Sequence, residues 1–249
     1  MVIFKRDVRT FFTNFYGIGF RTVYLFLQIF LFANILGRVI SPSSIGGLSY
    51  LQYFTLGATI ASLFWASFST TYDILVDKET GFFIYLITLP ISRFEIVAGR
   101  ILSGVVRGIF TMLPIYCLGL LYVPSNVDGV LASIAILLIF SFGLCGSNII
   151  LATTIKDEGK MRLSIRLMDL IMTRASSIMY PVAAMPLWLK MLASLNPLTY
   201  VADSFRQAII LSPYAIPPQN IVIILFFAIA MGVIGEQIYS KRIEGGFTD

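Results

Sequence analysis

The stretch Asp77–Arg100 reads DKETGFFIYLITLPISRFEIVAGR, and the rest of the chain is organised around it. It lies between two long apolar runs, carries charge at both ends and holds a Leu-Pro-Ile-Ser turn at Leu89–Ser92. As an isolated loop it cannot lie in hydrocarbon, because its backbone N–H and C=O groups would go unsatisfied there. The spacing predicts a short helix over Glu79–Thr88, stopped by the residue before Pro90, which is biased away from helical dihedrals. Phe82, Phe83, Leu86 and Leu89 form an apolar side too large for a freely solvated loop. Two readings follow. The helix rests on the lipid interface or under its own bundle, or it docks on a soluble partner and receives force from it.

Composition sets the class. Of 249 residues, 57% are hydrophobic and 12% charged, and the mean hydropathy is +0.87. Several runs reach the length needed to span a bilayer. The net charge of +5 is therefore not a nucleic-acid footprint; its distribution over the loops matters more than its size. With no histidine, the commonest metal ligand and general base is missing, and neither a metal site nor a catalytic residue is expected. Cys117 and Cys145 fall inside apolar runs, so no disulfide framework is implied. No cleavable signal peptide is expected, because the first apolar stretch is aromatic and interrupted, and no small-residue cleavage site follows it.

In chain order, residues 1–21 predict an amphipathic interfacial helix. Phe4, Val8, Phe11, Phe12, Phe15 and Ile18 recur at helical spacing, with Lys5, Arg6, Arg9 and Thr13 opposite. Six spans are expected, over Thr22–Ile40, Leu48–Val76, Ile96–Tyr122, Val130–Ile155, Leu167–Met185 and Gln219–Tyr239. The fifth is the weakest. Residues 186–218 are too apolar for a solvated loop and are broken near Asn196-Pro197. They predict two short helices that dip into the outer leaflet and return, with Asn196 capping the second and Pro197 at its first position.

Orientation follows from lysine and arginine. With the N-terminus inside, the cytoplasmic face collects Lys5, Arg6, Arg9, Arg21, Lys78, Arg93, Arg100, Lys156, Lys160, Arg162, Arg166, Lys241 and Arg242, and the outer face only Arg38, Lys190 and Arg206. Both termini are expected in the cytoplasm of a multi-pass plasma-membrane protein. Arg107 and Arg174 fall within spans. A charge there faces a partner or a cavity, so each either pairs helices or lines a substrate route.

Three features together resemble the membrane subunits of type-2 ABC transporters, the family of drug and polysaccharide exporters. The first is the order of elbow helix, two spans, coupling helix and four further spans. The second is the coupling segment 77–95, where Glu79, Gly81, Leu89-Pro90-Ile91-Ser92-Arg93 and Glu95 match the family pattern. The third is Asn196-Pro197-Leu198-Thr199-Tyr200 with Asp203 and Arg206, similar to the family's signature before its last span.

The resemblance implies an all-α integral membrane protein whose residues 1–249 form one transmembrane domain, with the coupling helix on the cytoplasmic side. It implies pairing with a second copy or a similar permease, and coupling to two ABC ATPase subunits that carry ATP and Mg. Glu79, Gly81, Phe82, Phe83, Leu86, Leu89, Pro90 and Arg93 become the candidate coupling residues. The chain agrees by what it lacks. Its one Gly-Lys pair, Gly159-Lys160, is followed by Met161 and has Thr154 where a P-loop needs glycine. The expected substrate is a hydrophobic or amphiphilic small molecule or a lipid; a polysaccharide or lipid-linked glycan is the alternative. An embedded enzyme is a poorer match. Tyr72-Asp73 is faintly similar to the pair in intramembrane aspartyl proteases, but the Gly-x-Gly-Asp companion is missing. A channel or scaffold remains the more distant class.

Overall fold

The computed structural model describes residues 2–13, 15–40, 42–45, 47–82, 92–155 and 157–244. Its α-helices are α1 (Val2–Thr13), α2 (Phe15–Leu36), α3 (Tyr50–Ser67), α4 (Ser69–Glu79), α5 (Arg93–Tyr122), α6 (Val127–Thr154), α7 (Glu158–Arg174), α8 (Leu187–Leu195), α9 (Pro197–Ile210) and α10 (Pro218–Glu244). Among the described residues, three helices are long and apolar enough to cross a membrane: Arg93–Tyr122, Val127–Thr154 and Pro218–Arg242. In α2 the apolar stretch Thr22–Leu36 is shorter.

Local chemistry sets the helix starts. Ser49 opens α3 and Ser92 opens α5 with reciprocal capping boxes, to Gln52 and Glu95 respectively. Asp157 opens α7 by accepting from the Lys160 amide at 2.7 Å. The expected second span, Leu48–Val76, is two helices that part at Phe68. Around that joint the Ser67 hydroxyl donates to the Phe64 carbonyl and Ser69 to Ala66, side-chain bonds that compete with the helical ladder.

Two further expectations are corrected, and the expected elbow helix falls on two elements. Glu79 closes α4 instead of opening a new helix, because Gly81 follows at φ +71° and turns the chain. Phe82 is helical again, and the remainder of the expected coupling helix, with Phe83, Leu86, Leu89 and Pro90, lies outside the described residues. The expected elbow helix over 1–21 is α1 and the beginning of α2. Moreover, α1 advances in step with α5: Ile3 and Phe4 sit beside Gly99, Asp7 reaches Arg100 and Ser103, and the Phe12 ring meets Phe110 edge-on at 5.0 Å. The buried described residues of α1 are Ile3 and Asp7, and Asp7 has charged partners inside. Finally, the expected fifth span, Leu167–Met185, is not one helix. The charged helix α7 stops at Arg174, and turns and a short 3-10 segment at Val182–Ala184 follow.

Close helix contacts rest on small residues. α6 and α10 meet at Gly143, Gly146, Gly232 and Gly235; a Cβ on Gly146 would lie 2.5 Å from the Met231 carbonyl oxygen. Gly104 and Gly108 seat α5 against Thr70, Cys145 and Leu63, so that G-x-x-x-G pair serves packing. α8 and α9 form the expected pair of short helices after residue 186.

Candidate functional site

Four charges meet at the end of the bundle where α4 ends and α5 begins. Asp7, Asp77 and Arg100 are buried, Arg100 completely. Arg6 donates to both carboxylate oxygens of Asp77 at 2.8 and 2.9 Å and to Asp7 at 2.8 and 2.9 Å. Arg100 is ion-paired with Asp77 and lies 3.4 Å from Asp7. The Ser103 hydroxyl also donates to Asp7, and the Arg6 guanidinium sits 4.4 Å from the centre of the Phe82 ring. Burial alone lowers the affinity of Arg6 for its proton, but the bonds and charges of Asp77 and Asp7 outweigh it and raise the net value. The set carries two positive and two negative groups, so no net charge is buried. It stands on a small apolar core that includes Ile3, Ile74, Ile96, Val97, Ile149 and Tyr239.

The position of this cluster matters more than its stability. Asp77 lies in the last turn of α4 and Arg100 in the second turn of α5, so the cluster ties together the two helices on either side of residues 80–92. Arg6 and Asp7 tie the same point to α1. The cluster thus joins three helices through side chains that cannot separate without leaving a buried charge unpaired.

Sequence reasoning placed Arg6 and Arg100 only as inside-facing positive charges and gave Asp7 no role. No local signal pairs residues so far apart in the chain. The candidate coupling residues are dispersed: Glu79 is the exposed end of α4, Gly81 the turn, Phe82 the contact to Arg6, and Arg93 the exposed first residue of α5.

Arg107 continues the network upward. It is ion-paired with Asp73 of α4 and donates to the Ser103 carbonyl at 3.1 Å and the Ser103 hydroxyl at 3.3 Å. The ion pair joins α4 to α5. Arg174 stands in the last turn of α7, with a nitrogen 3.1 Å from the Met179 sulfur. Beside α7, Trp65, Phe68, Tyr72, Ile165, Arg166 and Asp169 line a cleft of about 250 Å³. The Trp65 indole donates to Asp169 at 2.5 Å.

At the other end of the bundle, Asn196 to Arg206 act as a staple. The Asn196 side chain caps α9 by accepting from the Leu198 amide at 3.0 Å, with Pro197 at the first helical position. Its amide nitrogen donates to the Met172 and Ala175 carbonyls, each at 2.8 Å. Arg206, buried, donates to the carbonyls of Ser177, Ile178 and Tyr53 and lies 3.6 Å from the Tyr53 ring centre. The Tyr200 hydroxyl donates to Ser194, and Asp203 accepts from Ser177. Carbonyls freed where α7 ends thus find donors in the motif at 196–206, as buried backbone groups require.

A family profile described as ABC-2 type transporter matches residues 1–210. The chain belongs to the ABC-2 type transporter family. Among relatives of this ABC-2 chain, the inner membrane transport permease YadH of Escherichia coli is 25% identical over 184 residues, covering 72% of this chain and 70% of YadH. The ycf38 protein of Cyanophora paradoxa is 27% identical over 163 residues, 64% of this chain and 56% of ycf38. The daunorubicin resistance ABC transporter permease protein DrrB1 of Streptomyces coeruleorubidus is 22% identical over 161 residues, 64% and 57% of the two chains. The match thus spans little more than half the length of ycf38 and DrrB1. The matched range of the ABC-2 chain contains the charge cluster, residues 77–95 and the 196–206 staple.

Proposed function

We propose that this chain is the permease subunit of an ATP-driven exporter, working as a dimer with two separate ABC ATPase subunits that hold ATP and Mg. The observation that carries the reading is the anchoring of the coupling segment by Asp77 and Arg100 in an ABC-2 chain. A segment held at both ends by a buried ion cluster suits a part that takes a push from a soluble partner and hands it to the spans. The elbow role of the N-terminal region, the re-entrant placement of α8 and α9 and the cytoplasmic position of both termini belong to the same proposal.

For the substrate we infer a hydrophobic or amphiphilic small molecule or a lipid entering from the inner leaflet. Support comes from the aromatic cleft at Trp65, Phe68 and Tyr72, the sparse charge of the chain, 12% of its residues, and the drug-resistance relative DrrB1. Aromatic walls suit apolar ligands with one polar end. The test is ATPase stimulation in liposomes holding this chain and its ATPase partner. Stimulation by amphiphilic drugs or lipids is expected; stimulation by undecaprenyl-linked glycans alone would replace this substrate class with the glycan one.

A further inference from the structure

The cleft between the α3–α4 joint and α7 has walls of two kinds. Trp65, Phe68 and Ile165 give it an aromatic and apolar side, while Tyr72, Arg166 and Asp169 bring polar groups to it. Phe68 and Ile165 are buried, Trp65 and Asp169 are half-buried, and Tyr72 and Arg166 are exposed, so the apolar groups form the floor and the last two the rim. Its volume of about 250 Å³ falls just under the usual range for small-molecule sites, which suits a polar head and not a whole lipid.

Two opposite charges face this cleft without meeting each other. Arg166 and Asp169 stand one helical turn apart on α7, yet among the described residues the Arg166 guanidinium has no hydrogen-bond or ion-pair partner. The neighbouring Arg162 is taken by Glu158. Asp169 is held from one side only. Its Oδ1 accepts from the Trp65 indole at 2.5 Å and lies 3.3 Å from the Thr173 hydroxyl, while its Oδ2 has no partner among the described residues. The Tyr72 hydroxyl makes no hydrogen bond among them either. A guanidinium offers a fork of N–H donors that fits a phosphate, and a carboxylate oxygen can only accept.

We propose that this cleft binds a zwitterionic head that pairs a phosphate with an ammonium, as on a bilayer phospholipid. Arg166 and the Tyr72 hydroxyl hold the phosphate, and Asp169 Oδ2 faces the ammonium beside the Trp65 ring. A head with one charge leaves either Arg166 or Asp169 unanswered, whereas a zwitterion answers both. The start of the acyl chains packs on Phe68 and Ile165 and continues over Leu170, exposed one turn beyond Arg166. This ligand class rests on the reading of the cleft as the substrate's place, and binding measured without the ATPase partner separates the failure of one from the failure of the other.

The test uses the full chain in dodecyl maltoside micelles, titrated by microscale thermophoresis with three amphiphiles. Dihexanoyl phosphatidylethanolamine carries both charges, dihexanoyl phosphatidylglycerol the phosphate without the ammonium, and dodecylammonium the ammonium without the phosphate. Saturable binding of phosphatidylethanolamine, about tenfold or more tighter than either of the others, is expected. Arg166→Gln should weaken phosphatidylethanolamine and phosphatidylglycerol by about tenfold, or roughly 1.4 kcal/mol, and leave dodecylammonium unchanged. Asp169→Asn should weaken phosphatidylethanolamine and dodecylammonium and spare phosphatidylglycerol. Arg166 is exposed, so its variant serves if Asp169→Asn does not fold. Phosphoethanolamine without acyl chains separates the sources: competition at the concentration of the lipid assigns a free water-soluble head, and no competition assigns the membrane lipid. Equal binding of the three amphiphiles, or phosphatidylethanolamine binding unchanged in Arg166→Gln, overturns the proposal. Addition of the ATPase partner then reads the transport role by itself: bound lipid that leaves the ATPase rate unchanged keeps the site and removes its role in transport.

Discussion

The guanidinium of Arg100 and the carboxylate of Asp77 form a buried ion pair between α5 and α4, and Arg6 grips the same carboxylate from α1. Removing either member leaves its partner charged and out of water. Arg100→Met and Asp77→Asn should each destabilise the chain by about 3–5 kcal/mol, read as a fall in the thermal midpoint in detergent. Arg6→Gln should cost less, because its side chain is 31% exposed and water replaces part of what is lost.

Arg107 and Asp73 give a sharper separation of roles. If the pair only joins α4 to α5, the double variant Arg107→Met/Asp73→Leu should fold at least as well as either single variant, since an apolar replacement of a buried pair is often neutral or better. It should also keep the substrate profile of the wild type in an ATPase-stimulation screen. A profile that changes only when Arg107 is replaced would instead put that residue on the substrate route.

Asn196→Ala removes a helix cap and two donors to carbonyls at the end of α7 at once. Loss of the cap alone costs about 0.5–2 kcal/mol. Hydrogen–deuterium exchange should therefore rise at residues 172–178 as well as at the first turn of α9, and much less in α6. A rise confined to α9 would show that the cap acts without the staple.

The close seam between α6 and α10 predicts intolerance of side chains. Gly146→Leu must push the Met231 backbone away and should destabilise by about 1–3 kcal/mol or more. Gly159→Leu, in the exposed start of α7, should be close to neutral in the same thermal measurement.

What could be read from the chain were features with local grammar. Asn196-Pro197 announces a cap and a helix start by its own chemistry, and the apolar lengths of α5, α6 and α10 announce spans. The charge cluster was hidden because Asp7 lies beside Arg6 in a run that looks like a solvated basic face. Only the fold brings that face against Arg100 and Asp77. The joint at Phe68 was hidden for another reason: the serines beside it are as apolar-tolerant as their neighbours in a hydropathy count, and their effect on the backbone depends on which carbonyl each hydroxyl reaches. The fifth span failed because Leu167–Met185 is apolar enough on average, while the donors that stabilise its interruption, Asn196 and Arg206, come from a later helix.

The proposed orientation has its own check. A single cysteine at Pro213 should react with an impermeant thiol reagent added outside sealed cells, and one at Gly159 should not. Labelling at Gly159 would reverse the assignment of both termini to the cytoplasm.

The central claim is that the coupling segment docks on an ATPase subunit and that closure reaches the spans through it. The most direct measurement is the affinity of the purified ATPase partner for the full chain in nanodiscs, with transport assayed in parallel, for wild type and for Phe82→Ala/Phe83→Ala. Loss of a docked aromatic is worth about 3–5 kcal/mol, so the account predicts at least about a hundredfold weaker association and loss of transport with normal membrane insertion. Undiminished association and full transport by the double variant would contradict it and leave the segment resting on lipid.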